Sequence, residues 1–521
     1  MVFSLLRGSI GPTLGAPNTA GGGGGTSIAS NPVTYALMAT GSGTTYNVYS
    51  DANMDSVPWG SLAAGDCVNI YWKSTPYLRK FGLRAAGTSS NPVVVNGVTD
   101  ASGNRPRFNF SGATTAAGCN PGGANNIFTS TPAYGESLGG IVLKPGPSDP
   151  YGLYNPKWIQ IQNLELFGAA NGNSYITLTG STVAYSSAAA IYLLYAQDIL
   201  VQNCILTDCG FGFFTQANLN DLAFAAQRVT VRSCRVYGNG VVGSYFEHNF
   251  YVQCANPIIE GNYIGSVRAG SLGSTYKSRS SGEIFRFNYV EPSARTCDWV
   301  QSEDNNPGIQ TQPDYGTDYV YGNVLITDGL FGGLHYGGDN LGEDYPGNVV
   351  TPPPPYRFQL YFFSNTVINR SNYPPNYRSS VFHLSLINTR CDAWNNIFYC
   401  SGTTNFSWAF WAGFIYLRGG NIGFGTIADA RDGADAAQYE VTKVVTPINS
   451  DPLFVNAAAN NFALTASSPA LSQATGVPAG VPAGLSAYLV NYQPRLGTNG
   501  MVARTAQGAG ADLGALEYGV S

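Results

Sequence analysis

The chain has 521 residues, of which only 11% are charged while 13% are aromatic, with 33 Tyr and 64 Gly. Low charge with many aromatics excludes a disordered chain and is foreign to helix bundles, which are rich in Ala, Glu, Lys and Leu. The mildly acidic balance, 26 basic against 31 acidic residues, carries no electrostatic footprint for nucleic acid.

Residues 1–58 form a Gly-rich arm that contains Gly21–Gly25 and has the composition of a flexible linker, a candidate assembly anchor. The start, with Arg7 interrupting a short apolar run, reads poorly as a secretion signal. No run in the chain reaches the ~18 apolar residues of a membrane span. From about residue 60, Gly65-Asp66 leads into Cys67-Val-Asn-Ile-Tyr71, and Asn91-Pro92 into Val93-Val-Val95, both β-type runs bounded by turn residues.

From Trp158 the same element recurs: a β-branched or aromatic run ending in a small polar residue. The markers are Asn163, Asn203, Ser233, Asn262, Asn288, Asn323, Asn365 and Asn396, spaced 26 to 42 residues apart. Varying spacing around a constant element predicts solenoid coils of about 20–25 residues with loops inserted on one side, over 59–440. Near-continuous apolar runs predict parallel strands. Asn at the marker tolerates a left-handed bend, and its amide can bond to the Asn of the next coil. Between the runs, 296–317 and 329–357 read as long insertions that wall a groove. The segment 441–521, with Asp451-Pro-Leu-Phe454 and Asp512-Leu-Gly-Ala-Leu-Glu517, is expected to cap the open end of the stack.

Nine cysteines cannot all pair internally, and none form a CxxC spacing, so buried free thiols are expected. That state fits a reducing compartment.

These features resemble the pectate-lyase-like superfamily of right-handed parallel β-helix proteins, through Gly65-Asp66, Asn91-Pro92 and Asn104-Arg-Pro106 at one end and 451–517 at the other. The resemblance implies an all-β, right-handed parallel β-helix with long loop insertions and a C-terminal cap. More narrowly, Lys277-Ser278 before Ile284-Phe-Arg-Phe-Asn288 resembles chondroitinase-B and alginate-lyase type enzymes. In that family the Lys is the base and an Arg about one coil on assists. Arg295 holds the matching place but arrives early and lacks the family's following His-Gly. Bacteriophage tailspikes share the fold, and the Gly-rich arm and reduced cysteines resemble that group.

A lyase removing the proton α to a uronate carboxyl needs a cation for the carboxylate, a base, and an acid at the leaving oxygen. Lys277, Arg279, Arg286 and Arg295 supply cations, and Glu247 and His248 a further base and acid; the competing reading makes the four cations solvated residues of an outer face. A Lys at its ordinary pKa of about 10.4 is too basic for this work unless neighbours lower it. Hydrolysis instead needs two carboxylates, from Asp298, Glu303 and Asp304 or from Asp339, Glu343 and Asp344. Pure binding needs neither, only Trp299, Tyr315, Tyr336 and Tyr345 stacking on sugar rings. Three readings follow: a virion-associated tailspike or fibre that binds and in one version depolymerises a polysaccharide, a secreted bacterial lyase, and a non-enzymatic virion protein. No cofactor is called for, with calcium left open. The partners expected are a polysaccharide and, through the arm, other virion proteins; self-association is left open.

Overall fold

The structure, a computed structural model, describes residues 43–128, 135–149, 155–217, 221–302, 306–329, 333–338, 359–371, 380–386, 389–402, 406–411, 413–429 and 439–520. Three long sheets dominate it, two of fourteen strands and one of ten. One coil shows the plan: Ile258–Glu260 lies in sheet I, Tyr263–Ile264 in sheet II and Ser274–Ser278 in sheet III, and Ile284–Arg286 then returns to sheet I, parallel to the first. Stacking such coils gives a right-handed parallel β-helix with an interior filled by one continuous apolar core. All nine cysteines are buried free thiols. Among the described residues no helix is long and apolar enough to cross a membrane.

The corner between sheets I and II explains the recurring Asn. One residue there takes a positive φ: Asn163, Asn203, Ser233, Gly261, Phe287, Gly322, Ser364 and Asn395, between 50° and 67°. That conformation costs most residues roughly 1–2 kcal/mol and Gly and Asn least. Phe287 is held in it by rings on both sides, Tyr321 and Tyr492. The next residue points inward. From Asn262 onward it is Asn, and each side-chain amide bonds the next: Asn262 to Asn288 at 3.0 Å, Asn288 to Asn323 at 3.1 Å, Asn323 to Asn365 at 2.9 Å. The ladder runs on through Asn396 to Asn421.

The recurring small polar residue is two positions, not one. Arg235 pairs with Tyr263, so Cys234, not Ser233, is the equivalent of Asn262, and Cys204 stands above it. Asn163 and Asn203 therefore serve the left-handed bend, and Asn262 to Asn421 serve the ladder. Cys204 and Cys234 fill the ladder position in the earlier coils, the Cys204 N–H lying 3.4 Å from the Cys234 Sγ.

Both expected boundaries shift. The stack begins before residue 59: Thr45–Val48 pairs in parallel with Cys67–Tyr71 at the edge of sheet I. At the other end, the chain after Tyr439–Lys443 does not simply cap the stack. It turns back along the outside, with Thr475 on Asn395 and Ala479 against Arg418, reaches Ser233 at Asn499, and returns to Thr366 at Ala515. Its apolar residues Leu485 and Tyr488 cover Tyr321, Phe363 and Trp394 of sheet I, and Phe462 and Leu516 cover Tyr289 and Ile368 of sheet II. The outward side chains of sheets I and II are apolar or ion-paired in this part of the stack, and burying them supplies the reason for the return path.

Candidate functional site

Sheet III is built differently. Its strands place two buried residues inside and one, x, outside: Phe250-Tyr251-Val252, Tyr276-Lys277-Ser278, Cys297-Asp298-Trp299, Leu334-His335-Tyr336 and Phe382-His383-Leu384, where every inward residue but Ser278 belongs to the apolar core. Parallel register stacks the x positions into one row. Tyr192, Phe214, Tyr251, Lys277, Asp298, His335 and His383 are consecutive Cα partners. Strand spacing is about 4.8 Å, so the side chains of the row are neighbours.

The first half of the row is aromatic, with the Tyr192 and Phe214 rings stacked at 4.8 Å and Tyr251 edge-on to Phe214 at 5.0 Å. The second half is ionic. Lys277 Nζ lies 3.1 Å from Asp298 Oδ2, and Arg295 Nη1 donates to Asp298 Oδ1 at 3.1 Å. His335 Nδ1 pairs with the same Oδ1, and His383 stacks on His335 at 4.4 Å. Burial alone pushes the Asp298 carboxyl up, but Lys277, Arg295 and His335 outweigh it and hold the group well below the usual carboxylate range. Burial, then the charges of His335 and Arg295, hold His383 well below its ordinary value, so its imidazole is neutral at pH 7. Among the described residues no group of three or more His, Cys, Asp or Glu side chains is arranged to hold a metal ion.

The structure brings Lys277 and Arg295 together on Asp298. Other expected site residues go elsewhere. Arg279 is buried, its Nε donating to the Tyr251 phenol oxygen at 3.0 Å and its Nη1 to the Gln301 carbonyl at 2.8 Å. Arg286 lies on sheet I, paired with Glu260 at 2.8 Å, so neither arginine is a solvated outer residue. His248 accepts the Ser274 N–H at 2.8 Å and packs against Tyr251, whereas Glu247 turns away to accept the Ser187 hydroxyl at 2.5 Å.

The aromatic stacking set is corrected. Trp299 and Tyr336 are fully buried inside the coils, because Arg295–Val300 and Leu334–Gly337 are strands of sheet III and not parts of loops. The Trp299 indole N–H donates to the interior Glu283 carboxylate at 3.0 Å, and the Tyr336 hydroxyl donates to the Gln359 carbonyl at 2.9 Å. Tyr315 is also buried, its oxygen accepting the Ser302 N–H. None of the three presents a ring face to a sugar. Tyr345 lies outside the described residues, as do Glu303, Asp304, Asp339, Glu343 and Asp344. His383 and the role of Asp298 as common counter-ion escaped the sequence reading; the apolar–x–apolar triplets were the signal that marks them.

A family model described as a right-handed β-helix region matches residues 161–281. No curated protein matches the chain. Among solved structures, it is similar to an alginate lyase from Paenibacillus sp. str. FPU-7, at 12% identity over 77% of this chain and 99% of that one, with a TM-score of 0.37. It is similar to pectate lyase Pel9A at 12% identity over 91% and 96%, TM-score 0.39. A lacto-N-biosidase from Eubacterium ramulus aligns at 11% identity over 77% and 68%, TM-score 0.33. At these scores the fold rests on the three sheets and the matched family model.

Proposed function

We propose that this chain is a polysaccharide lyase that cleaves a uronate-bearing polymer by β-elimination on the outer face of sheet III. One observation carries the reading: the in-register row in which three outward aromatic rings are followed by Lys277, Asp298, His335 and His383, with Arg295 beside them. A sugar chain along this row meets the partly exposed rings of Phe214 and Tyr251 first and cations next. Elimination requires the carboxylate beside the reacting carbon to be neutralised, and Lys277 and Arg295 supply two cations at one place. The ion pair with Asp298 binds Lys277 as its ammonium form, which suits it to hold a carboxylate and unsuits it to take a proton. In this reading Lys277 is therefore the electrostatic partner of the substrate, not the base that the family resemblance implies.

Hydrolysis fits less well. It needs a second carboxyl roughly 5–9.5 Å from the first, one of the pair protonated; among the described residues Asp298 is the row's single carboxylate, and its neighbours keep it ionised.

The test is incubation with a panel of uronate-containing and neutral polysaccharides. The ultraviolet band of an unsaturated uronate, with matching product masses, is expected on one or more acidic polymers, and Lys277→Ala or Arg295→Ala should abolish it. New reducing ends without that band would replace the lyase reading with hydrolysis. Location in a virion is a separate proposal that rests on the arm around Gly21–Gly25, outside the described residues; detecting the chain in purified phage particles is its test, and a secreted location is the alternative outcome.

A further inference from the structure

With Lys277 and Arg295 bound to Asp298, the elimination still lacks a group to move protons. We infer that Tyr251 is that group, and that Arg279 is its positioning residue; the inference rests on the lyase reading above. Tyr251 is the Cα partner of Lys277, one strand spacing or about 5 Å away. A carboxylate held by Lys277 brings its α carbon within reach of that neighbour, whereas His383 is three strands from Lys277. The ring is fixed by Phe214 edge-on at 5.0 Å, by Phe211 and by His248 at 5.6 Å, yet the residue as a whole is only half-buried.

The phenol oxygen accepts a hydrogen bond from Arg279 Nε at 3.0 Å. Arg279 is itself buried and anchored at its far side by the Gln301 carbonyl. A guanidinium spent on a tyrosine oxygen in this way cannot be a substrate ligand, but it stabilises the oxyanion left when the phenol gives up its proton. Conformational support of the ring alone needs no charge there.

The step balances on one residue. The Tyr251 phenolate takes the proton α to the carboxyl, and the C–H electron pair becomes the double bond between the α and β carbons. The bond from the β carbon to the glycosidic oxygen breaks, and Tyr251 returns its proton to that oxygen. The phenolate is restored, and the products are an unsaturated uronate and a new hydroxyl end. The cycle requires proton and leaving oxygen on the same face of the sugar ring.

The charged or titratable groups facing Tyr251 are Lys277 from the next strand, Arg279 from the following corner and His248 from the preceding loop, while Phe214 on the other side does not titrate.

The experiment compares wild type, Tyr251→Phe and Arg279→Lys in the full chain, on an acidic polymer that wild type degrades. Tyr251→Phe, which keeps the ring, should lower kcat by about 100-fold or more with KM little changed. Arg279→Lys should retain part of the activity and move the ascending, acid-side limb of the kcat/KM profile to higher pH, which a merely structural loss does not do. If Tyr251→Phe keeps kcat within about tenfold, or raises only KM, Tyr251 is a stacking residue and the assignment falls while the lyase reading stands. If wild type releases only saturated ends, the lyase reading falls and this assignment falls with it.

Discussion

Two faces of this molecule carry the same device and put it to opposite ends. On sheet I, Arg232, Glu260, Arg286, Tyr321, Phe363 and Trp394 stand in one in-register row, ionic first and aromatic after. Glu260 takes Arg232 Nε at 2.6 Å and Arg286 Nε at 2.8 Å, and Tyr321, Phe363 and Trp394 stack at 4.6 and 4.4 Å. On sheet III the order is reversed, aromatic first and ionic after, and the carboxylate meets a lysine, an arginine and a histidine. The aromatic part of the sheet I row lies under the chain's own returning segment, which lays Leu485 and Tyr488 on it. No such covering by 451–520 reaches the sheet III row among the described residues. A parallel stack turns any repeated outward position into a continuous row; whether that row is structure or site depends on what lies over it.

The largest way to break this contrast is to remove the cover. A chain ending at 450 re-exposes Tyr321, Phe363, Trp394 and their neighbours, at about 1.5–3 kcal/mol for each large side chain returned to water. It should unfold at a lower temperature than any point variant and bind a hydrophobic dye, both read in a thermal scan.

Next come the two carboxylates. Glu260→Gln strands the buried Arg232 and Arg286 and should cost about 3–5 kcal/mol in denaturant unfolding, while Asp298→Asn, whose partners Lys277 and Arg295 are only partly buried, should cost less. They part on turnover: Glu260→Gln leaves kcat per folded molecule unchanged, and Asp298→Asn removes it by freeing Lys277 and Arg295 from their shared anchor. Equal activities for the two variants would erase the distinction between the faces.

A smaller effect is expected at the inner ladder. Asn323→Ala takes away the amide that bonds Asn365 and the Phe285 carbonyl and strands their partners, at about 1–3 kcal/mol with no change in kcat.

The smallest effect is a pH slope. Folded His383 stays neutral, whereas the unfolded chain takes up a proton there below about pH 6.5. The unfolded state then binds more protons, so stability falls on acidification, by at most about 1.4 kcal/mol per pH unit from this group. His383→Gln should flatten that part of the curve measured by chemical unfolding across pH 5–7.

Much of the coil plan was legible. The runs ending at Asn163 through Asn396 are all sheet I strands with their corner, made visible by runs rich in apolar and β-branched residues and by a bend that takes Gly, Asn or Ser everywhere but at Phe287. The β-type runs, the amide ladder and the thiol burial came from local composition and spacing, whereas the pairing of Lys277 with Arg295 was implied by the family resemblance. The sheet III strands around Trp299 and Tyr336 were hidden, because they alternate Asp298 or His335 with apolar residues inside segments whose length reads as loop insertion.

By itself, then, the sequence determined that coils form and where they turn, since those depend on neighbours along the chain. Only the tertiary structure decided which residues share a face. A single step of register exchanges inside for outside, and that step sent Trp299 inward while Asp298, beside it in the chain, joined Lys277, Arg295 and His335. It also decided that the last 70 or so residues lie along two faces and leave the third, because that path buries apolar rows which no local pattern announces.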